Sequence, residues 1–315
     1  MKEANENYNE GSKHLETSCI KCRCKPNYSR AIPYFKLAAD SYHGLKNYEK
    51  EIDTRKKLVK CFMVGKSHWE EGKEYEKISK VQINQLKSPS DAYDSIECAF
   101  HAYINNHSYD NAIKALMKSS DDFIEQEYSG EAEKALSLAF NEGIEEYFHV
   151  ITLDEENSYS YIYDCIDKYI DLLFSMGNFK KSAEISERSA KLIKKEQKNE
   201  VKIISKYYAL QAISHFFDND EENYNKIIKK GIEFEKGQNN LCYKIKQLVD
   251  LVKENNKNNQ KNIKSLLFDI SNSVPNNVSK KLNYYINENA IKSETNSNKN
   301  ENNNDDKFTD YEDLK

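Results

Sequence analysis

Three thiols stand close together near the start of the chain, at Cys19, Cys22 and Cys24, with His14 just upstream. Thiolates and imidazoles at short spacing are zinc ligands, but no second Cys or His pair follows at a finger-like distance. The run Cys19-Ile20-Lys21-Cys22-Arg23-Cys24-Lys25 also alternates thiols with cations. That chemistry suits an anionic membrane surface, where each Lys or Arg contributes roughly 1 kcal/mol. An acyl chain on one Cys would add a second weak anchoring signal. A plain connecting loop that carries thiols is the third reading, and the residues alone leave all three open.

Gly65-Lys66-Ser67 has the end of a phosphate-binding loop, but that motif needs a glycine where Lys60 stands. The preceding Lys60 to Val64 reads as the interior of a helix. No metalloprotease, nucleophile-elbow or dinucleotide pattern is present, so neither catalysis, a cofactor nor a small-molecule substrate is expected. Lysines and arginines recur near expected turns, at Lys46, Arg55 to Lys57, Lys87, Lys114, Lys118, Lys168, Lys194 and Lys195. Singly, each reads as part of a solvated face. Sharing one concave face, they would form a stripe for an acidic, rod-like partner.

The elements that must position these groups are helices. Only nine Gly and four Pro occur in 315 residues, too few for a fold rich in strands and tight turns. An aromatic followed by small or apolar residues at offsets three, seven and ten recurs: Tyr28, Ala31, Phe35, Ala38; Tyr109, Ala112, Leu116, Ser119; Phe179, Ser182, Ser186, Ser189. Looser copies open at Trp69, with Gly72 and Ser79, and at Tyr224, with Ile227, Gly231 and Phe234. These offsets fall on one helical face, where small residues admit a close neighbour. Starts roughly forty residues apart, or twice that, are the mark of helix-hairpin repeats, longer than the tetratricopeptide unit of about 34 residues. Pro33 is expected in the first turn of its helix, where a missing N–H costs nothing.

Net charge is −5, which disfavours nucleic acid as the main partner. No long apolar run and no signal peptide are found, so reduced thiols and a cytoplasmic chain are expected. The texture changes after about residue 240. Residues 1–245 read as the hairpin array and 246–290 as a small C-terminal helical bundle, with two short helices parted near Pro275. Residues 291–315 read as a disordered acidic tail ending in Leu314 and Lys315.

Gly11 to Leu15, Lys25-Pro26-Asn27-Tyr28, Ala31 and Ala38 to Tyr42 together resemble the opening of soluble NSF attachment proteins, the Lys-Pro-x-Tyr junction in particular the gamma type. Cys242 to Asp250 resembles that family's last long helix, and Glu312-Asp313-Leu314-Lys315 resembles the alpha-type ending. The resemblance implies an all-α fold: a right-handed array of TPR-like hairpins with a C-terminal bundle. It implies a non-enzymatic adaptor that binds syntaxin-type SNARE complexes and stimulates the NSF ATPase in vesicle-mediated membrane fusion and intracellular transport. By position it assigns Lys46, Lys87, Lys114 and Lys168 to the SNARE bundle, and Cys19, Ile20, Cys22 and Cys24 to a membrane-contact loop. Asp250, Glu254, Asp313 and Leu314 fall to the ATPase. Peripheral association with vesicle, Golgi and ER membranes is implied too. The family's first loop carries Phe or Trp where this chain has thiols and Ile20. The rivals are a generic TPR-like interaction scaffold and a metal-dependent enzyme built on the Cys cluster.

Overall fold

The computed structural model describes residues 1–16, 25–145, 148, 159–197, 200–237, 240–254 and 259–288. Cys19, Ile20, Cys22 and Cys24, and the tail with Asp313 and Leu314, lie outside them. Among the described residues the regular elements are all helices, arranged as an array of antiparallel hairpins. In order they are α1 (Lys2–Leu15), α2 (Tyr28–Gly44), α3 (Tyr48–Val64), α4 (His68–Val81), α5 (Pro89–Asn105), α6 (Tyr109–Glu125) and α7 (Ser129–Leu138). Then follow α8 (Tyr159–Ser175), α9 (Phe179–Glu196), α10 (Val201–Phe217), α11 (Glu221–Phe234), α12 (Leu241–Glu254), α13 (Gln260–Ser271) and α14 (276–288). By packing, the chain divides into two units, Met1–Tyr169 and Ile170–Lys315. This division falls within α8, whereas the sequence texture changes near 245.

A single turn design explains how so few glycines suffice. In the first unit the chain crosses between helices at Lys46, Lys66, Lys87, His107 and Glu127, with φ of 56°, 54°, 53°, 57° and 64°. In the second unit Gly177 and Asn219 do the same, at 71° and 59°. A left-handed residue lets the following N–H reach back to a helix carbonyl, closing the helix end. Asn47 N–H thus bonds Tyr42 O, Ser67 bonds Phe62, Ser108 bonds Tyr103 and Asn178 bonds Leu173, each at 2.9 Å. The same residue is then the N-cap of the next helix: Asn47 Oδ1 accepts from Lys50 N–H, and Asn178 Oδ1 from Lys181 N–H. One residue ends a helix and starts another.

The small-residue face packs as its spacing implies. Ala31, Phe35, Ala38, Ala112, Leu116, Ser182, Ser186 and Ser189 are buried completely. A methyl group on Gly72 would lie 2.9 Å from the Tyr103 ring, so α4 and α5 approach as closely as they do only because position 72 lacks one. Pro33 corrects the expectation made for it. Asn27 caps α2 by accepting from Arg30 N–H, which starts the helix at Tyr28 and leaves Pro33 inside it, past the first turn. Two π-helical segments went unforeseen: Gln82–Leu86 continues α4 and Ala139–Glu145 continues α7.

In the second unit α10 is buried on nearly every side, and Ser182 on α9 meets Ser214 on α10 at 2.9 Å. The two short helices foreseen on either side of Pro275 are α13 and α14, α13 opening at Gln260. α14 docks through buried Val278, Leu282 and Ile286, with Tyr285 edge-on to Phe216 at 5.0 Å between centroids. Its N-terminus is held from afar: Asp171 accepts from the Asn277 backbone N–H at 2.5 Å and from Asn277 Nδ2 at 2.9 Å. Losing such a cap costs about 1–2 kcal/mol. Asp171→Ala is therefore expected to expose α14 to protease cleavage near Pro275 at concentrations that spare the parent. Equal cleavage rates would show that the aromatic packing alone holds the helix.

Candidate functional site

The chemistry of the first unit gathers on the face shared by α2, α4, α6 and the opening of α8. Consecutive helices run antiparallel, so every second helix points the same way and lies beside its counterpart across a shallow groove. Between α2 and α4 the groove has a volume of ≈ 520 Å³ and is lined by Asp40, His43, Glu51, Arg55, Lys77, Lys80, Asn84 and Gln85. Between α4 and α6 it has ≈ 220 Å³. Lys77 and Lys80 on α4 edge both.

Beneath the first groove lies a buried ionic network. Arg55 Nε donates to Glu51 at 2.9 Å and Nη1 to Glu74 at 2.9 Å, with Asp40 at 3.4 Å from Nη2. The side chains of Glu51 and Glu74 are each 1% exposed. His43 Nδ1 lies 2.8 Å from Glu51, and Lys77 Nζ 2.6 Å from Glu74. Two carboxylates are tolerated there because three nitrogen-bearing side chains converge on them. The network fixes the spacing of α2, α3 and α4, and with it the groove.

The lysines singled out from sequence fall in two places. Lys114 and Lys168 belong to the even-helix face: Lys114 pairs with Asp110 at 3.1 Å and lies over the Tyr161 ring, while Lys168 pairs with Asp121 of α6. Lys46 and Lys87 sit instead on left-handed turns at the ends of the hairpins, where Lys87 donates to Gln126. They share an end, since the α2–α3 and α4–α5 turns lie on the same side of an antiparallel array. Lys36, Lys73, Lys77 and Lys80 went unselected, although 73, 77 and 80 have the spacing of one helical face. Carboxylates accompany these amines: Lys36 lies 3.9 Å from Glu70, and Lys73 4.0 Å from Glu76. The face is a charge mosaic with a surplus of amines on α4 and α6.

In the second unit Asp250 pairs with Lys246 one turn back on α12, at 3.1 Å, and Glu254 accepts from Asn259 at 3.3 Å. Asp250 also lines a depression with Gln247, Leu251, Ser265 and Leu266, where α12 and α13 meet.

Among the described residues no cluster of three or more His, Cys, Asp or Glu has the arrangement of a metal site, and no helix is long and apolar enough to cross a membrane. Burial pushes the Cys61 thiol up to about 11, and those of Cys165 and Cys242 up to about 12. At neutral pH these three stay protonated, which suits packing and not nucleophilic attack.

No protein-family model matches the chain, and no curated protein matches it either. Among solved structures it is similar to the crystal structure of BtubC (BKLC) from P. vanneervenii, with 9% identity and a TM-score of 0.32. That alignment covers 73% of this chain and 90% of the other. A likeness of this degree carries no argument about function.

Proposed function

We propose that the chain is a non-catalytic helical-repeat adaptor of the soluble NSF attachment type, which holds a SNARE bundle and presents it to the NSF ATPase. The observation that carries the reading is the set of amines on the even-helix face of the first unit, Lys114 and Lys168 among them, displayed on helix hairpins. The sequence resemblance at both ends of the chain is its other support. A partner built of parallel acidic helices fits such a face. Each exposed ion pair supplies about 0–1 kcal/mol, so several must act together. The ends of the chain have the remaining parts in this reading: the loop with Cys19, Ile20, Cys22 and Cys24 meets the membrane, while Asp250, Glu254, Asp313 and Leu314 meet the ATPase.

The pairing of Lys114 with Asp110 and of Lys168 with Asp121 also favours a second reading, a TPR-like scaffold for a partner of mixed charge. One experiment separates the two. Purified protein is mixed with assembled SNARE complex and the ATPase, with ATP hydrolysis either blocked or permitted. The adaptor reading expects a ternary complex that falls apart on hydrolysis. It also expects capture to weaken about ten-fold in Lys114→Glu/Lys168→Glu, the loss of roughly 1.4 kcal/mol. Absence of the complex at low salt, with a folded protein by circular dichroism, leaves the general scaffold.

A further inference from the structure

The groove between α4 and α6 contains an unexplained donor. Ser119 is 4% exposed, lines the groove, and its Oγ has no hydrogen-bond partner. A buried hydroxyl without a partner costs about 1–3 kcal/mol. Its counterpart Ser79, on the opposite wall, donates to Ala92 O at 2.8 Å and needs nothing more. The groove therefore holds one hydroxyl at its base, unsatisfied while the groove is empty.

The rim above that hydroxyl is cationic. Lys73, Lys77, Lys80 and Lys118 line the groove, against the carboxylates of Glu76 and Asp122. Four amines against two carboxylates leave two positive charges. The surplus is not spread evenly. Glu76 accepts from Tyr103 Oη and faces Lys73, and Lys77 is drawn to Glu74. Lys80 and Lys118 form no ion pair within 4.0 Å among the described residues, and both face Asp122. Burial pushes the Asp122 carboxyl up from its ordinary value, so this acid opposes an incoming anion less than an exposed one would.

We propose that this groove binds a phosphate monoester carried on a segment of a partner protein, with Ser119 Oγ donating to one phosphate oxygen and the Lys80 and Lys118 amines to the others. A phosphate monoester carries about −1.5 to −2 charges at pH 7 and three acceptor oxygens. It thereby matches the surplus of two positive charges and supplies the acceptor that Ser119 lacks. The groove is lined by residues in the body of α4 and α6, away from the turns. A flat bilayer reaches hairpin ends more readily than this trough, whereas a polypeptide can lie along it. The inference goes beyond the adaptor reading and holds for any phosphorylated partner.

The test uses N-acetyl-phosphoserine amide as probe, followed by NMR on the full chain, with N-acetyl-serine amide as control at matched ionic strength. Saturable shifts centred on Ser119 and the Lys80 and Lys118 amines are expected from the phosphorylated probe only. Lys80→Gln/Lys118→Gln is expected to weaken the affinity at least ten-fold. Ser119→Ala is expected to weaken it several-fold while the melting temperature holds or rises, because that change deletes an unsatisfied buried group. A merely structural serine would not separate affinity from stability in this way. Unsaturating shifts, or equal affinity in the variants, overturn the proposal. So does lysine-dependent capture of the protein by phosphatidylcholine vesicles containing a phosphoinositide when the phosphoserine probe leaves Ser119 unmoved.

Discussion

Arg55→Ala is expected to lower the unfolding free energy of the first unit by about 3–5 kcal/mol, the cost of stranding buried charge. The guanidinium holds Glu51 and Glu74 at 2.9 Å each, and both carboxylates are 1% exposed. With alanine in place, Glu51 keeps only His43 and Glu74 only Lys77, on their outer oxygens. Neither replaces the planar fork that bridges the two helices. The loss is charge-specific and not a matter of volume, so a second chain distinguishes the causes. Arg55→Met combined with Glu51→Gln and Glu74→Gln removes the charges together and is expected to recover most of the stability. Urea unfolding at neutral pH, followed on both variants, is the measurement. A loss below about 1 kcal/mol for Arg55→Ala would mean that water reaches the carboxylates and the network is not a fixed part of the groove.

How far the fold was legible depends on which physics writes it. The helix class and the repeating face were visible in the sequence because local period and side-chain size encode them. Tyr28, Tyr109 and Phe179 open α2, α6 and α9, and the small residues behind them are buried. The turns were located but not their geometry. A lysine in the left-handed region at 46, 66 and 87 carries no signature, since the closing hydrogen bond comes from the residue after it. Pro33 was misplaced for a related reason: the cap at Asn27 sets the start of α2, and a side-chain acceptor outweighs the proline's preference. The π-helical insertions depend on packing across α4–α5 and α6–α7, which no window of one helix contains.

The candidate face was legible only in part. Lysines can be counted from the sequence, but whether one is free depends on an acid elsewhere. Lys168 meets Asp121, 47 residues away, and Lys77 meets Glu74 only because Arg55 has already brought that carboxylate inside. Lys46 and Lys87 looked equivalent to Lys114, yet they stand on turns and not on the even-helix face. Ser119 appeared in the repeat as one more small residue, and its orphaned hydroxyl emerges only when the neighbouring acceptors are in place.

The second large effect is expected at Gly231 on α11, from the same close-packing logic. A methyl group there would lie 2.2 Å from Cys242 Sγ on α12, 3.1 Å from Cys242 Cβ and 3.3 Å from Tyr208 Cβ. Real carbon contacts do not fall that low, so the sulfur must move, and it is fully buried. Movement is restrained further because Asn240 ties the start of α12 to α11: its Nδ2 donates to Gly231 O at 2.9 Å and its Oδ1 accepts from Cys242 N–H at 2.7 Å. Valine improves helix propensity over glycine by only a few tenths of a kcal/mol, whereas overpacking costs typically 1–3 kcal/mol, and occasionally more. Gly231→Val is expected to destabilise the second unit by about 3 kcal/mol net. Cys242→Ala in the same chain is expected to return part of that loss, since the nearest clash is with sulfur while the Cβ contact persists. Gly130→Ala, in a position with nothing within 4 Å, is the neutral control. A double-mutant cycle on thermal or urea unfolding reads the coupling directly. Additive losses at 231 and 242 would mean that α12 swings aside at little cost, and that its packing against α11 is not fixed by this contact.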